Sequence, residues 1–286
     1  MKTTTFRLIR GFATAMTLFF ALAVGSAAAG TLDEVKERGV VRIGIANEAP
    51  YGYMDLDGKV TGEAPEVARA VFNAMGIDKV EAVVVEFGSL IPGLKAGRFD
   101  VIAAGMYITP ERCGQVLFSE PSYKIGEGFL VPAGNPRNLH GYEDVKANPD
   151  IKLGVVAGAV EGGYARDVGI PDEQVVMLPD NATGMGAVKS GRVDAYGGTA
   201  LTVARLAAND PTVETAQPFE DLVIDGKLIA GHGAFGFRKG DEDFRDAFNE
   251  HLAGYLGTDA WEQTVTPFGF GRHTLPEKSA AELCGG

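Results

Sequence analysis

Val40-Val41-Arg42-Ile43-Gly44-Ile45 reads as a buried strand, an apolar run that begins directly after Gly39. A helix opens before it at Thr31, with Leu32 and Val35 facing inward, and stops at that glycine. Beyond it Asp57-Gly58 signals a turn, and Glu66 to Met75 is amphipathic and ends at Gly76. Val80 to Val85 reads as a second strand, Leu90 to Lys95 as a short helix closed by Gly97, and Val101-Ile102-Ala103-Ala104 as a third strand. Strands alternating with helices predict a largely parallel sheet with helices on its faces.

The same rhythm starts afresh further along. Leu153-Gly154-Val155-Val156, Val175-Val176-Met177-Leu178 and Val193-Asp194-Ala195-Tyr196 read as strands. Gly162 to Asp167, Ala182 to Ser190 and Thr199 to Ala208 read as the helices between and after them. Gly128-Phe129-Leu130-Val131 is expected to lead out of the first unit, and Ala234-Phe235-Gly236-Phe237 to lead back. The segment from Phe244 to Tyr255, and then Trp261, is expected to rejoin it as helix. The expected organisation is therefore a leader at 1–29, a first lobe at 30–130 and a second at 131–231, with 232–286 returning to the first. Two crossings make a hinge, and clefts between domains favour small ligands because closure buries most of the ligand surface.

The N-terminus bears on compartment. Lys2, Arg7 and Arg10 precede an uncharged run from Gly11 to Val24, and Ala27-Ala28-Ala29 offers a small-residue cleavage point before Gly30. This is the pattern of a secretory signal peptide and predicts export to the periplasm. The apolar stretch is shorter than the roughly 20 residues a spanning helix needs, which disfavours a retained anchor. No cysteine lies near the cleavage point to carry a lipid. Loss of the three leader cations moves the formal charge from −12 to −15. So acidic a chain repels phosphate backbones and anionic lipid surfaces, which argues against nucleic-acid and membrane-surface partners. Cys113 and Cys284 are the two cysteines, and an oxidising compartment would let them pair and pin the C-terminal tail near Arg112; two unpaired thiols are the other possibility. His140, His232, His251 and His273 show no metal-ligand spacing, and no Gly-rich phosphate loop with its lysine is present. No metal and no cofactor are expected.

Four stretches carry a family resemblance: Arg42-Ile43-Gly44-Ile45 with Glu48 and Tyr51; Gly62-Glu63-Ala64-Pro65-Glu66-Val67-Ala68; Leu94-Lys95-Ala96-Gly97-Arg98-Phe99-Asp100-Val101; and Thr109-Pro110-Glu111-Arg112. Gly191-Arg192-Val193-Asp194-Ala195 matches the third of these in the second unit. Together they resemble the solute-binding proteins that serve ABC importers for polar amino acids. Their fold is the two-lobe α/β periplasmic binding protein of type II, and the resemblance covers nearly the whole mature chain. Within that family, Ile45 to Tyr51 and Gly105 to Cys113 are most similar to ectoine- and hydroxyectoine-binding proteins. The resemblance implies a non-enzymatic receptor, a monomer that delivers a small zwitterionic solute to a membrane permease. It also implies a site in which Tyr51, Phe87 and Tyr107 form an aromatic cage, Glu48 pairs with a cationic ring and Arg112 holds a carboxylate.

These residue types suit that chemistry. A guanidinium is planar, permanently charged and matched to a carboxylate in two parallel bonds. Tyr51, Phe87 and Tyr107 lie near predicted strand ends, where open α/β sheets bind ligands, and each cation–π contact contributes about 0.5–2 kcal/mol. For each aromatic the plainer alternative is core or hinge packing, and for Arg112 it is a surface helix cap. Two positions depart from amino-acid receptors: Thr199 stands where they place an aspartate for the α-ammonium, and Val160 where relatives supply a threonine hydroxyl. A primary ammonium enclosed without its acid is poorly compensated. A cyclic amidinium needs less, so Glu48 and aromatic walls could suffice. Glu161 and Tyr164 read as cleft rim or surface. A polar or cationic amino acid or an opine is the alternative ligand. A periplasmic dehydratase on the same fold is the rival outside binding, and it would need an acid or base that Glu48 alone would have to provide.

Overall fold

A computed structural model describes residues 30–224 and 226–285; the expected leader lies outside the described residues. Along the chain, β1 (Val40–Ile45) pairs in parallel with β2 (Lys79–Val84) and β3 (Val101–Tyr107), and the short strands β4 (Leu117–Phe118) and β5 (Tyr123–Ile125) follow. A second sheet is then built from β6 (Glu127–Pro132), β7 (Leu153–Val156), β8 (Val175–Leu178), β9 (Ala195–Thr199) and β10 (Val213–Thr215). Strand β11 (Gly231–Phe237) returns to the first sheet. The orders are β2-β1-β3-β11-β4, with β5 also on β11, and β8-β7-β9-β6-β10. Each sheet has one reversed strand: β11 is antiparallel to β3, β4 and β5, and β6 is antiparallel to β9 and β10. The remaining strands of each sheet run one way, so the architecture is the two-lobe α/β arrangement. Among the described residues no helix is long and apolar enough to cross a membrane.

The two reversed strands correct the expected crossings. Gly128–Val131 lies within β6 of the second sheet, and Ala234–Phe237 within β11 of the first. The chain passes between sheets at Gly126 and again at Ala230. Both strands sit inside their sheets and are covered on both faces, which is why they read as unbroken apolar runs.

Each sheet is packed on both sides. Val41, Ile43, Phe72, Phe235, Phe248 and Trp261 belong to one cluster of the first lobe, and Leu90, Leu94, Phe99 and Ile102 to the other. Phe248 meets Phe235 at 4.7 Å and Phe72 at 5.2 Å between ring centroids, so the helix Glu242–Tyr255 is tied to the first lobe, where sequence placed it. Asp100 shows what one of the sequence markers does. Its carboxylate accepts from the Arg42 backbone N–H (2.8 Å), Arg42 Nη2 (2.8 Å) and Arg38 Nη2 (2.6 Å), fixing the start of β3 to β1. Asp194 repeats the device in the second lobe, accepting from the Lys152 N–H (2.8 Å) and Arg137 Nε (2.9 Å). These aspartates are structural.

Glu63 begins the helix Glu63–Ala74 inside the first lobe, where Ser122 Oγ donates to its Oε1 at 3.0 Å. Burial pushes its carboxyl up to about 8. The unfolded chain gives up that proton at an ordinary carboxylate pKa. The associated stability is therefore fully present below that value and is lost as pH rises through about 8, a loss on the order of 5 kcal/mol across the window. Glu63→Gln is expected to flatten this slope. Urea unfolding at pH 5, 7 and 8.5 measures it, and an unchanged slope in the variant would refute the assignment.

Candidate ligand site between the lobes

The carboxyl ends of β1 and β3 face those of β7 and β9 across a cavity lined from both lobes. Past β1 the chain turns back on itself, with the Glu48 N–H donating to the Gly52 carbonyl at 2.9 Å, and this turn presents Glu48 and Tyr51. Tyr51 is buried, and Gly105 opposite it has φ +67°; a Cβ there would lie 2.5 Å from the Tyr51 ring. Tyr107 ends β3 with its ring laid over Gly231, where a Cβ would come within 1.7 Å of it. Both glycines are there to make room for aromatic rings.

Arg112 sits in the four-residue helix Pro110–Cys113, whose first turn is capped by Thr109 Oγ1 accepting from the Arg112 N–H. The side chain is no surface cap: the residue is 8% exposed. Nη1 donates to the Tyr107 carbonyl (2.8 Å) and Nη2 to the Gly158 carbonyl (2.9 Å). The guanidinium carbon lies 5.4 Å from the centre of the Phe87 ring. Phe87 thus lines the cavity but gives one face to the protein's own cation, and its first service is to hold Arg112. Desolvation lowers the Arg112 pKa, opposed by Glu161 as the leading counter-charge.

The second lobe supplies more than was anticipated. Val160 lines the cavity and offers no donor from its side chain. Glu161, read from sequence as rim or surface, is 5% exposed and lines the cavity at the start of the helix Glu161–Val168. It is buried because its helix begins at the carboxyl end of β7, the counterpart of the position that carries Glu48. Asn181, after β8, and Tyr196, within β9, also line the cavity and are hydrogen-bonded to each other. Extending the strand-end rule to the second sheet would have found Glu161 and Asn181. Tyr164 stands half-buried on the outer side of Arg112, in the mouth of the cleft.

Several hydrogen bonds cross between the lobes, that from Arg205 Nη2 to Tyr53 Oη (3.4 Å) among them. Tyr51 Oη donates to Thr199 Oγ1 (2.8 Å), Thr202 Oγ1 to Glu48 Oε1 (2.9 Å), and Arg112 Nη2 to the Gly158 carbonyl. Thr199 is therefore a clasp between lobes as well as a wall of the cavity, and it caps the helix Ala200–Ala208 by accepting from the Thr202 N–H. Beside Arg112 the backbones of Gly88 and Gly158 touch, so a Cβ on Gly158 would lie 2.7 Å from the Gly88 Cα.

Burial raises the pKa of Glu48, with the Thr202 and Asn181 hydrogen bonds opposing it. Burial also raises Glu161 and Glu127, which face one another, and keeps the Tyr51 and Tyr107 phenols neutral. The expectation of a single pocket carboxylate is thus corrected: Glu48 and Glu161 both line the cavity, with Glu127 behind. A guanidinium, two carboxyl groups and aromatic rings lining one cavity can hold a small zwitterion. Among the described residues no cluster of three or more His, Cys, Asp or Glu side chains is arranged to hold a metal ion.

Two α/β lobes joined by two crossings and closing on a polar-and-aromatic cavity define a receptor for a small solute. The chain belongs to the bacterial extracellular solute-binding proteins, family 3, whose model matches residues 41–269. It is 45% identical over 281 residues to a probable amino-acid ABC transporter periplasmic-binding protein, y4tE, of Sinorhizobium fredii, covering 96% of this chain and 92% of that one. The crystal structure of EhuB in complex with hydroxyectoine superposes with a TM-score of 0.81 at 38% identity, covering 90% of this chain and 99% of that one. An ancestral amino acid-binding protein, AncCDT-1, a precursor of cyclohexadienyl dehydratase, superposes with a TM-score of 0.71 at 28% identity, covering 84% and 99%.

Proposed function

We propose that this protein is the periplasmic receptor of an ABC importer, exported by a cleaved leader, and that it captures ectoine or hydroxyectoine and hands it to a membrane permease. The observation that carries the reading is the make-up of the cavity lining: the Arg112 guanidinium, the Glu48 and Glu161 carboxyl groups and the Tyr51 and Tyr107 rings all border one space. An ectoine has one carboxylate for the guanidinium and a flat amidinium whose two N–H groups suit two carboxylates. Its ring presents π-compatible faces to the tyrosines. The likeness to EhuB, solved with hydroxyectoine, supports the same ligand class. The role is binding, and conversion of the solute is not part of it.

A cationic or polar amino acid is the second reading, and Glu161 favours it. The case against an amino acid rested on a shortage of acid in the cleft, and the second carboxylate removes that shortage. Calorimetric titration with hydroxyectoine, ectoine, arginine, glutamate and octopine separates the two. The ectoines are expected to bind with a micromolar Kd, about −8 kcal/mol, and the others about a hundredfold more weakly. Tight arginine binding without ectoine binding would replace the first reading with the second.

A further inference from the structure

Glu127 opens β6 in register with Thr199 of β9, which places the two side chains on one face of the sheet. The residue is 6% exposed, and neither carboxyl oxygen finds a hydrogen-bond donor among the described residues. Its carboxyl instead meets that of Glu161, whose Oε2 likewise has no donor. Two ionised carboxylates about 4 Å apart would repel by about 4 kcal/mol even at an effective dielectric constant of 20. With one proton between them the contact becomes a hydrogen bond.

The surroundings decide which of the two holds the proton. The charged groups acting on Glu127 are Glu161 and Glu48, both acidic, and burial adds to their effect. The neighbouring phenols of Tyr51, Tyr107, Tyr142 and Tyr164 are neutral. Glu161, by contrast, lies at a helix start with a backbone N–H in contact and has the Arg112 cation in its field. The anion belongs on Glu161 and the proton on Glu127.

We propose that Glu127 is a positioning residue of the ligand site: a neutral carboxylic acid that donates a hydrogen bond to Glu161 and so keeps Glu161 ionised against the cationic part of the ligand. The proposal rests on reading the cavity as a cation-binding site. A carboxylic acid held neutral in an apolar setting is an effective donor. It does not touch the ligand; it acts through Glu161.

Glutamine reproduces a protonated glutamate, donor included, and leucine does not. Hydroxyectoine titration at pH 5.5, 7 and 8.5 should therefore leave Glu127→Gln within about threefold of the parent, while Glu127→Leu binds about ten- to a hundredfold more weakly at pH 7. The leucine deficit should shrink as pH rises, because Glu161 without its donor needs a higher pH to ionise. A glutamine variant that loses as much as leucine, or a leucine variant that binds like the parent, overturns the proposal. Infrared difference spectra at pH 7 give a readout without ligand. A protonated-carboxyl stretch should be present in the parent and lost in Glu127→Gln, with Glu63→Gln assigning the second buried acid. No such difference for Glu127→Gln would also overturn it. Should hydroxyectoine fail to bind the parent, the ectoine reading falls, and the infrared arm still decides the state of Glu127.

Discussion

Arg112→Ala is expected to weaken binding of any carboxylated ligand by about a hundredfold to several thousandfold. Truncating one partner of a buried, hydrogen-bonded charge pair costs 2–5 kcal/mol or more, much of it from leaving the other charge enclosed and unpaired. Arg112 meets the conditions for the upper part of that range. It is 8% exposed, its guanidinium is oriented by the carbonyls of Tyr107 and Gly158, and the Phe87 ring limits where it can move. Arg112→Lys is expected to recover only part of the loss, since a point ammonium cannot make the two parallel bonds of the fork or keep the ring contact. Titration calorimetry with hydroxyectoine, alongside a thermal melt to confirm folding, measures both. Near-parental affinity in a folded Arg112→Ala protein would remove this arginine from the site.

The second large effect falls on stability. Cys113 and Cys284 are joined in a disulfide across a sequence separation of 171 residues. Closing a loop of that length in the unfolded chain contributes about 5 kcal/mol in the chain-entropy picture, at the upper end of what native disulfides provide. The folded state gives the bond something to hold. The C-terminal helix Ala280–Leu283 is capped by Ser279 and Glu282, its Ala280 N–H donates to Glu120 Oε2 at 3.0 Å, and Leu283 packs on the first lobe. Cys284→Ser is expected to cost about 2–5 kcal/mol and to lower the melting temperature by roughly 5–15 °C. Scanning calorimetry of the variant, and of the parent under a dithiol reductant, checks this. A melt unmoved by full reduction would rule the estimate out.

Much of the fold was legible because its signals are local. The strand at Val40–Ile45, the glycine stop at Gly39 and the alternation of strands with helices need only near neighbours in sequence. The crossings were not legible. β6 and β11 look like connectors because interior strands carry no polar side, and only pairing partners far along the chain show which sheet each belongs to. The site divides in the same way. Glu48, Tyr51, Tyr107 and Arg112 follow strand ends in the first lobe, and the structure brings them to one cavity with Phe87, Val160 and Thr199. Glu161 escaped because a glutamate opening a helix ordinarily faces water near the helix dipole, and nothing in its own stretch reveals the lobe above it. Glu127 was hidden more deeply, at the head of an apolar run where its burial depends on a helix that begins 34 positions later.

The interleaving of the sheets also fixes the order in which this chain can become structured. All strands of the second sheet lie between residues 127 and 215, so that unit contains its own partners. The first sheet has a gap in its middle until residues 231–237 arrive to pair with β3, β4 and β5. A chain emerging N-terminus first must therefore carry the first unit as an unfinished sheet, with β3 exposed along one edge, while the later-made unit completes itself. Any truncation before residue 237 would leave that edge open to pairing with other molecules.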